Sequence, residues 1–314
     1  METNIVKTQN ARALLGSAQK EPIPIFGNYI FENELSLLFG DSNAGKSILA
    51  TDIAMFVSGG GHEWPDMASP KMPSLYIDME MTEQQFANRY RNAGLYMTDS
   101  FYRSSVDVLG TTESKIFSYV KSEIIRQQGS ANPPKFIVID NITNGFGSIF
   151  SAAKMRTLIS EFKALKNRFG LTILLIAHCP KRSTNKPITD NNLGGSKMIM
   201  NFVDSAFAIG PSQVGNEFKY IKQIKSRAVA KTDEVMTVKI SKEPYLSMQY
   251  VNYTYEDAHI DREDTSLLML RISPEQEIKL LQMHKDKCKA LDIANKLGLN
   301  VGTIYSYLLH NHLL

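Results

Sequence analysis

The sequence predicts an α/β fold with a mostly parallel central sheet, antiparallel strands after it, and a small helical C-terminal domain. Three observations carry that prediction. From about residue 34 to 210, short apolar runs alternate with helical stretches. From about 216 to 252 the chain reads as consecutive strands, and from about 272 it is helical again. Strand, helix, strand in repetition argues for parallel strands joined by right-handed crossovers.

Residues 1–30 are polar and mixed, with Pro22 and Pro24 marking an extended lead-in. The predicted core spans 31–253. Its strands are LSLLF (35–39), SLYID (74–78), FIVID (136–140) and LTILLIA (171–177), each short, apolar and followed by small or polar residues, as parallel strands buried on both faces should be. TEQQFANRYRNAG and SAAKMRTLISEFKALKNRFG read as helices, the second ending at Gly170. NEFKYIKQIKSR, EVMTVKIS and YLSMQYV then read as antiparallel strands. The polar, acidic YEDAHIDREDT suggests a linker over 254–271, and 272–314 forms the helical domain.

Bulk properties narrow the function classes. The 314 residues are 43% hydrophobic and 21% charged, an ordinary globular mixture. No segment approaches the ~18 uninterrupted apolar residues of a membrane span, and METNIVKTQN lacks the apolar region of a signal peptide. Cys179 and Cys288 have no metal or redox spacing, which suits reduced thiols in the cytoplasm. The net charge of +3 requires any nucleic-acid surface to be local.

One break in the apolar pattern carries chemistry. Gly40-Asp41-Ser42-Asn43-Ala44-Gly45-Lys46-Ser47 fits G-x-x-x-x-G-K-[ST] in full, with a strand before it and a helix opening through Ile48 after it. Glycines let backbone N–H groups curl around an anion, and the helix N-terminus adds partial positive charge. Lys46 suits the β- and γ-phosphates of ATP, and the Ser47 hydroxyl suits Mg²⁺. Asp140 stands at the end of FIVID, where open α/β sheets bind ligands, and is the second Mg²⁺-side candidate. Asn141 follows it, so hydrolysis needs its carboxylate elsewhere. Asp78 and Glu80 share strand parity, and Glu80, just past the strand end, is the candidate for orienting the attacking water. An acid before a helix start also simply favours the helix dipole. His178 ends LTILLIAH and reads either as a satisfied structural histidine or as a group facing the γ-phosphate.

Four signals now stand in order: the phosphate loop, YIDMEM, VIDN and LLIAHCPKR. That series resembles the RecA-like ATPases, and within them the hexameric replicative helicases of the RepA and DnaB kind. DNNLGGSKMIMNFVDSAFAI (190–209) and QIKSRAVAKTDEV (223–235) are similar to further helicase segments. The resemblance covers about 20–240. It implies a RecA-like core in which Lys46 and Ser47 bind phosphate and Mg²⁺, Glu80 is the catalytic carboxylate, Asp140 the second acidic motif and His178 a sensor. It further implies that Lys225 and Arg227 act as fingers in a neighbouring subunit's site, and hence a ring homo-oligomer, a hexamer by that analogy. Read alone, 219–231, with five cations and no acid, is equally a solvated basic strand. Only about 30 residues precede the core, which favours the RepA-like over the DnaB-like pattern.

Two loops leave the strand ends where such rings meet single- or double-stranded DNA. NITNGFGSIFSAAK (141–154) holds Phe146 and Phe150; PKRSTNKPITDNNLGGSK (180–197) holds Lys181, Arg182, Lys186 and Lys197 against Asp190. Plain surface loops fit both stretches equally well. KALDIANKLGLNVGTIYSYLLHN has a helix-turn-helix look, with Gly298 closing one helix, Asn300 capping the next, and Thr303, Tyr305 and Ser306 as candidate groove contacts. The expected activity is a DNA helicase or translocase driven by ATP. The alternative is a non-processive, DNA-bound ATPase serving regulation, recombination or mobilisation.

Overall fold

Two short strands, β1 (Pro24–Phe26) and β2 (Ile30–Phe31), pair and bury Phe26, Tyr29 and Ile30 in the core, so the end of the expected lead-in is part of the folded body. The structure is a computed structural model and describes residues 10–12, 21–65, 67–143, 152–180, 183–260, 272–299, 301–311 and 313.

β3 (Leu35–Gly40) is buried along its whole length and feeds the phosphate loop and α1 (Lys46–Val57). Helix α1 is buried nearly all round, which explains its weak polar periodicity. β4 (Ser74–Asp78) leads to α2 (Glu83–Arg89), started by a reciprocal cap between Thr82 and Gln85. A 3₁₀ turn, Arg91–Tyr96, leads to β5 (Phe101–Ser105). Then come α3 (Glu113–Gln128), β6 (Phe136–Asp140), α4 (Ala152–Phe169) and β7 (Thr172–His178). After a 3₁₀ segment, Asp190–Ser196, and α5 (Lys197–Phe202), β8 (Ser205–Pro211) returns through the middle of the sheet. β9 (Phe218–Lys225), β10 (Glu234–Ser241) and β11 (Ser247–Tyr255) follow.

Among the described residues, nine strands form one sheet in the order β11-β10-β9-β8-β3-β7-β6-β4-β5. From β8 to β5 neighbours run parallel; β9, β10 and β11 extend the sheet antiparallel. The expected α/β class is therefore observed, and β3 and β6 are separated by β7. One face of the sheet packs Ile116, Val120 and Ile124 of α3 with Leu158, Ile159 and Phe162 of α4. The other packs Leu49, Ala50, Ile53 and Phe56 of α1. Two buried faces are why the parallel strands read as unbroken apolar runs.

Some boundaries differ from the sequence reading. β5, not among the expected strands, is a half-buried edge strand whose FYRSS lacks an apolar run. The expected linker begins inside structure: β11 runs to Tyr255, and Glu256–Ala258 forms a 3₁₀ turn that buries Glu256 and Ala258. The tail contains α6 (Pro274–Lys285), α7 (Ala290–Leu297) and α8 (Val301–His310) around Leu280, Ile293, Ile304 and Leu308. Gly298 closes α7 in the left-handed conformation, as expected; Asn300 lies outside the described residues.

Candidate nucleotide site

Register brings the candidate residues to one edge. Gly40 pairs with His178 across β3 and β7, and Asp78 pairs with Asp140 across β4 and β6. The carboxyl ends of four neighbouring parallel strands thus converge, the place where a switch in strand order opens a ligand crevice.

The loop between β3 and α1 turns through two left-handed residues, Asn43 (φ 63°) and Gly45 (φ 96°). Gly45 is favoured by its φ, which disfavours a side chain; a Cβ there would also displace the end of the Met248 side chain of β11, 2.2 Å away. Lys46 opens α1, is 4% exposed, and folds its Nζ back to donate to the carbonyls of Gly40 (3.0 Å) and Asp41 (2.7 Å). Burial lowers its pKa, opposed by the charges of Asp140, Cys179, Glu80 and Asp41. The ammonium therefore sits inside the loop with carboxylates about it. Ser42, Asn43, Ala44 and Ile48 belong to the same turn and first helical residues.

Asp140 is 1% exposed, and burial pushes its carboxyl up to about 6, while the Ser47 hydroxyl and the Tyr76 hydroxyl work in the opposite direction. Tyr76 donates to Oδ2 at 2.5 Å; Oδ1 is buried with no hydrogen-bond partner. An orphaned carboxylate oxygen beside a serine hydroxyl fits a Mg²⁺ ion, which takes few protein oxygens and keeps waters and phosphates as its other ligands. Ser47 and Asp140 would hold it, and there it would neutralise charge on the β- and γ-phosphate oxygens.

Glu80 lies two residues beyond β4. Its Oε1 is 3.0 Å from His178 Nε2 and also meets Asn141 Nδ2, which in turn is 2.8 Å from His178 Nε2. The hydrogen bond from His178 holds the Glu80 carboxyl below its ordinary range against the effect of burial, with the His178 and Lys46 charges adding to it. His178 is itself fixed: its backbone N–H donates to Thr143 Oγ1 at 3.0 Å, and the next residue, Cys179, donates to Gly40 O at 3.1 Å.

Asp78 has a different job from Glu80. Fully buried, it accepts the N–H groups of Glu80 and Met81 on Oδ1 (2.9 Å each) and takes Arg103 on Oδ2 through Nε (3.1 Å) and Nη2 (2.8 Å). Arg103 Nη2 also reaches Met81 O at 2.6 Å. The turn that presents Glu80 is thus built on an ion pair to β5. Asn141, Tyr76 and Arg103 were not singled out in the sequence as site residues. For Tyr76 the available signal was its even spacing from Asp78 on one strand.

Lys225 and Arg227 are not part of this cluster. Lys225 pairs with Ala206, toward the amino ends of the parallel strands, whereas Gly40 pairs with Ile209. Lys225 Nζ donates to the carbonyls of Met200 (2.6 Å) and Val203 (2.8 Å), closing the end of α5. Arg227 is about half exposed and donates to Asp204 Oδ1 at 2.9 Å.

Of the expected DNA contacts, Phe146, Phe150, Lys181 and Arg182 lie outside the described residues, as do the side chains of Lys197 and Ser306. The second loop is half embedded: Ile188 and Leu193 are 2% exposed. In the tail, Thr303 is buried at 5% exposure and Tyr305 rests on Tyr255 of β11 at 6.2 Å between ring centroids. That packing turns Thr303 into the helical core and away from a groove, while Tyr305 is half-buried beside the sheet edge.

A family model described as AAA domain (AAA_25) matches residues 5–184, from before β1 to just past β7. The chain belongs to the AAA domain family. It is a P-loop ATPase domain of the RecA-like type, and the match contains Lys46, Glu80, Asp140 and His178, while β8 to β11 and the helical tail of this AAA domain chain lie beyond it. Among solved structures it is similar to the flagellar accessory protein FlaH from Methanocaldococcus jannaschii, at 14% identity and a TM-score of 0.49, over 73% of this chain and 93% of that one. No curated protein matches. Among the described residues no helix is long and apolar enough to cross a membrane.

Proposed function

We propose that this chain hydrolyses ATP with Mg²⁺ to work on DNA, as a ring-forming, RepA-like helicase or translocase. The observation that carries the reading is the separation of two sets of groups. Lys46, Ser47, Glu80, Asp140 and His178 share the carboxyl edge of the sheet, while Arg227 stands half exposed toward the amino edge. A cation so placed is out of reach of its own phosphate loop, and it would serve a neighbour's by exchanging its surface ion pair with Asp204. Head-to-tail contacts of that kind close into rings.

Within one site, Lys46 would attract the terminal phosphates and Ser47 with Asp140 would hold the metal. Glu80, kept ionised by His178, would accept a hydrogen bond from the attacking water and orient it in line. Asn141 and His178 hold Glu80 from one side, and the Asp78–Arg103 pair holds its backbone from the other. Arg227 of the next subunit would neutralise charge developing on the transferred phosphoryl group. Lys225 would act beside it, fixing the end of α5 as it does within its own chain.

Single-stranded DNA should raise ATP turnover severalfold and the protein should displace a strand from a forked duplex. Turnover indifferent to single strands, with preference for particular duplex sites and no displacement, would overturn the motor and favour a DNA-bound regulator. The packing of Thr303 argues against the regulator in the form in which that residue reads the groove.

A further inference from the structure

The segment that follows His178 is tied down at Ile188, from both sides of its peptide. Ile188 N–H donates to Glu256 Oε1 at 2.7 Å, and Ile188 C=O accepts from Lys222 Nζ at 2.8 Å. Glu256 and Lys222 also pair with each other, with side chains only 10% and 16% exposed, and the Tyr220 hydroxyl donates to Glu256 Oε1 at 3.1 Å. An ion pair here does what a neighbouring β-strand would do, supplying one acceptor and one donor to a single residue. The Ile188 side chain seats against Gly210 of β8, where a Cβ would come within 2.8 Å of Ile188 Cδ1.

The carboxylate end of this pair is not on the core's own strands. Glu256 begins the 3₁₀ turn after β11, and α8 of the tail packs on that turn and on β11. Tyr305 of α8 covers Tyr255, the residue before Glu256. Contacts therefore run from the tail helix to Glu256 and on to Ile188, which follows His178 by ten residues in the chain.

We propose that Glu256 and Lys222 are positioning residues that clamp the loop after His178, and that docking of α8 holds the clamp closed. The tail thereby sets how far that loop can move when the nucleotide site changes state. This consequence for turnover rests on the ATPase reading above; the clamp itself does not. A partner that pulls α8 off β11 would release the loop without touching the phosphate site.

Amide hydrogen exchange on the full chain tests it. Glu256→Ala should speed exchange at Ile188 and across 183–193 by about tenfold or more, with β3 and β7 unchanged. Tyr305→Ala should speed the same amides, and the double variant should add little to Glu256→Ala, because both act through one route. Should Glu256→Ala fold poorly, Lys222→Met removes the other half of the clamp and should give the same local pattern. Unchanged exchange at Ile188, or an equal rise throughout the sheet, would overturn the clamp. Local release in Glu256→Ala with no effect of Tyr305→Ala would overturn the part given to the tail. These measurements need neither nucleotide nor DNA, so failure of the motor reading shows separately, as absent DNA stimulation in the unaltered protein.

Discussion

Glu80 and His178 meet at 3.0 Å although one follows β4 by two residues and the other ends β7, strands that are not neighbours in the sheet. The strand between them, β6, contributes Asn141 to the same contact. Three strand ends thus fix one carboxylate above the phosphate loop's edge, and its ionised form is the favoured one.

Glu80→Gln should therefore abolish most turnover while leaving nucleotide binding intact. A loss of about 10²–10⁴-fold in kcat is the scale for a positioned base. His178→Ala should cost less in kcat and should raise the apparent pKa on the acidic limb of the pH–rate profile, since it removes the main cause holding Glu80 down. Steady-state kinetics with a nucleotide-binding titration would check both; equal binding loss in Glu80→Gln would contradict the assignment.

Arg103→Ala should destabilise the fold and slow turnover together. It leaves Asp78 as an uncompensated buried charge, which costs about 3–5 kcal/mol, and it frees the turn bearing Glu80. Arg103→Lys should not restore kcat, because one ammonium cannot reproduce the two-nitrogen contact with Asp78 and the bond to Met81 O. Denaturant melts alongside kcat measure the two effects; a destabilised variant with unchanged kcat would separate Arg103 from Glu80.

Stability should fall with acidification because of His259. It is 2% exposed, contacts Thr237 Oγ1 (3.1 Å) and Ser212 Oγ (2.7 Å), stacks on Tyr220, and burial pushes its pKa down to about 3. A depressed histidine pKa means that the folded state holds the neutral form while the unfolded chain takes up the proton. Its contribution is fully present above about pH 6.5 and is lost as pH falls from there toward 3, at about 1.4 kcal/mol per pH unit. Thermal melts between pH 7 and 4 should show that slope, and His259→Gln should flatten it; an unaltered slope would remove His259 as the cause.

Apart from β5 and β8, the strands of the large sheet were legible, as was the phosphate loop, because both leave local patterns: apolar runs or alternation for the strands, and fixed spacing for the glycines, Lys46 and Ser47. Glu80, Asp140 and His178 were legible as strand-end positions, and register then supplied their convergence. Arg103 was not legible, since its partner Asp78 is 25 residues away and its own strand is a half-buried edge without an apolar signature. Nor was the end of the core: YEDAHI reads as polar linker, yet Glu256 is buried because Lys222, Tyr220 and Ile188 satisfy it. Composition marks a charge as exposed unless a distant partner is known. Thr303 was misread for the related reason that helix periodicity does not say which face meets the rest of the tail.

The central claim, that each site is completed by a neighbour's Arg227, is tested most directly by mixing two inactive variants. Glu80→Ala and Arg227→Ala should each hydrolyse ATP poorly alone. Mixed, they should regain activity, because an intact Glu80 in one subunit then faces an intact Arg227 in the next. Mass measurement with nucleotide bound should find them in the same assemblies. Mixed assemblies that form and stay inactive, or an unaltered protein that turns over ATP at full rate as a monomer, would contradict the account.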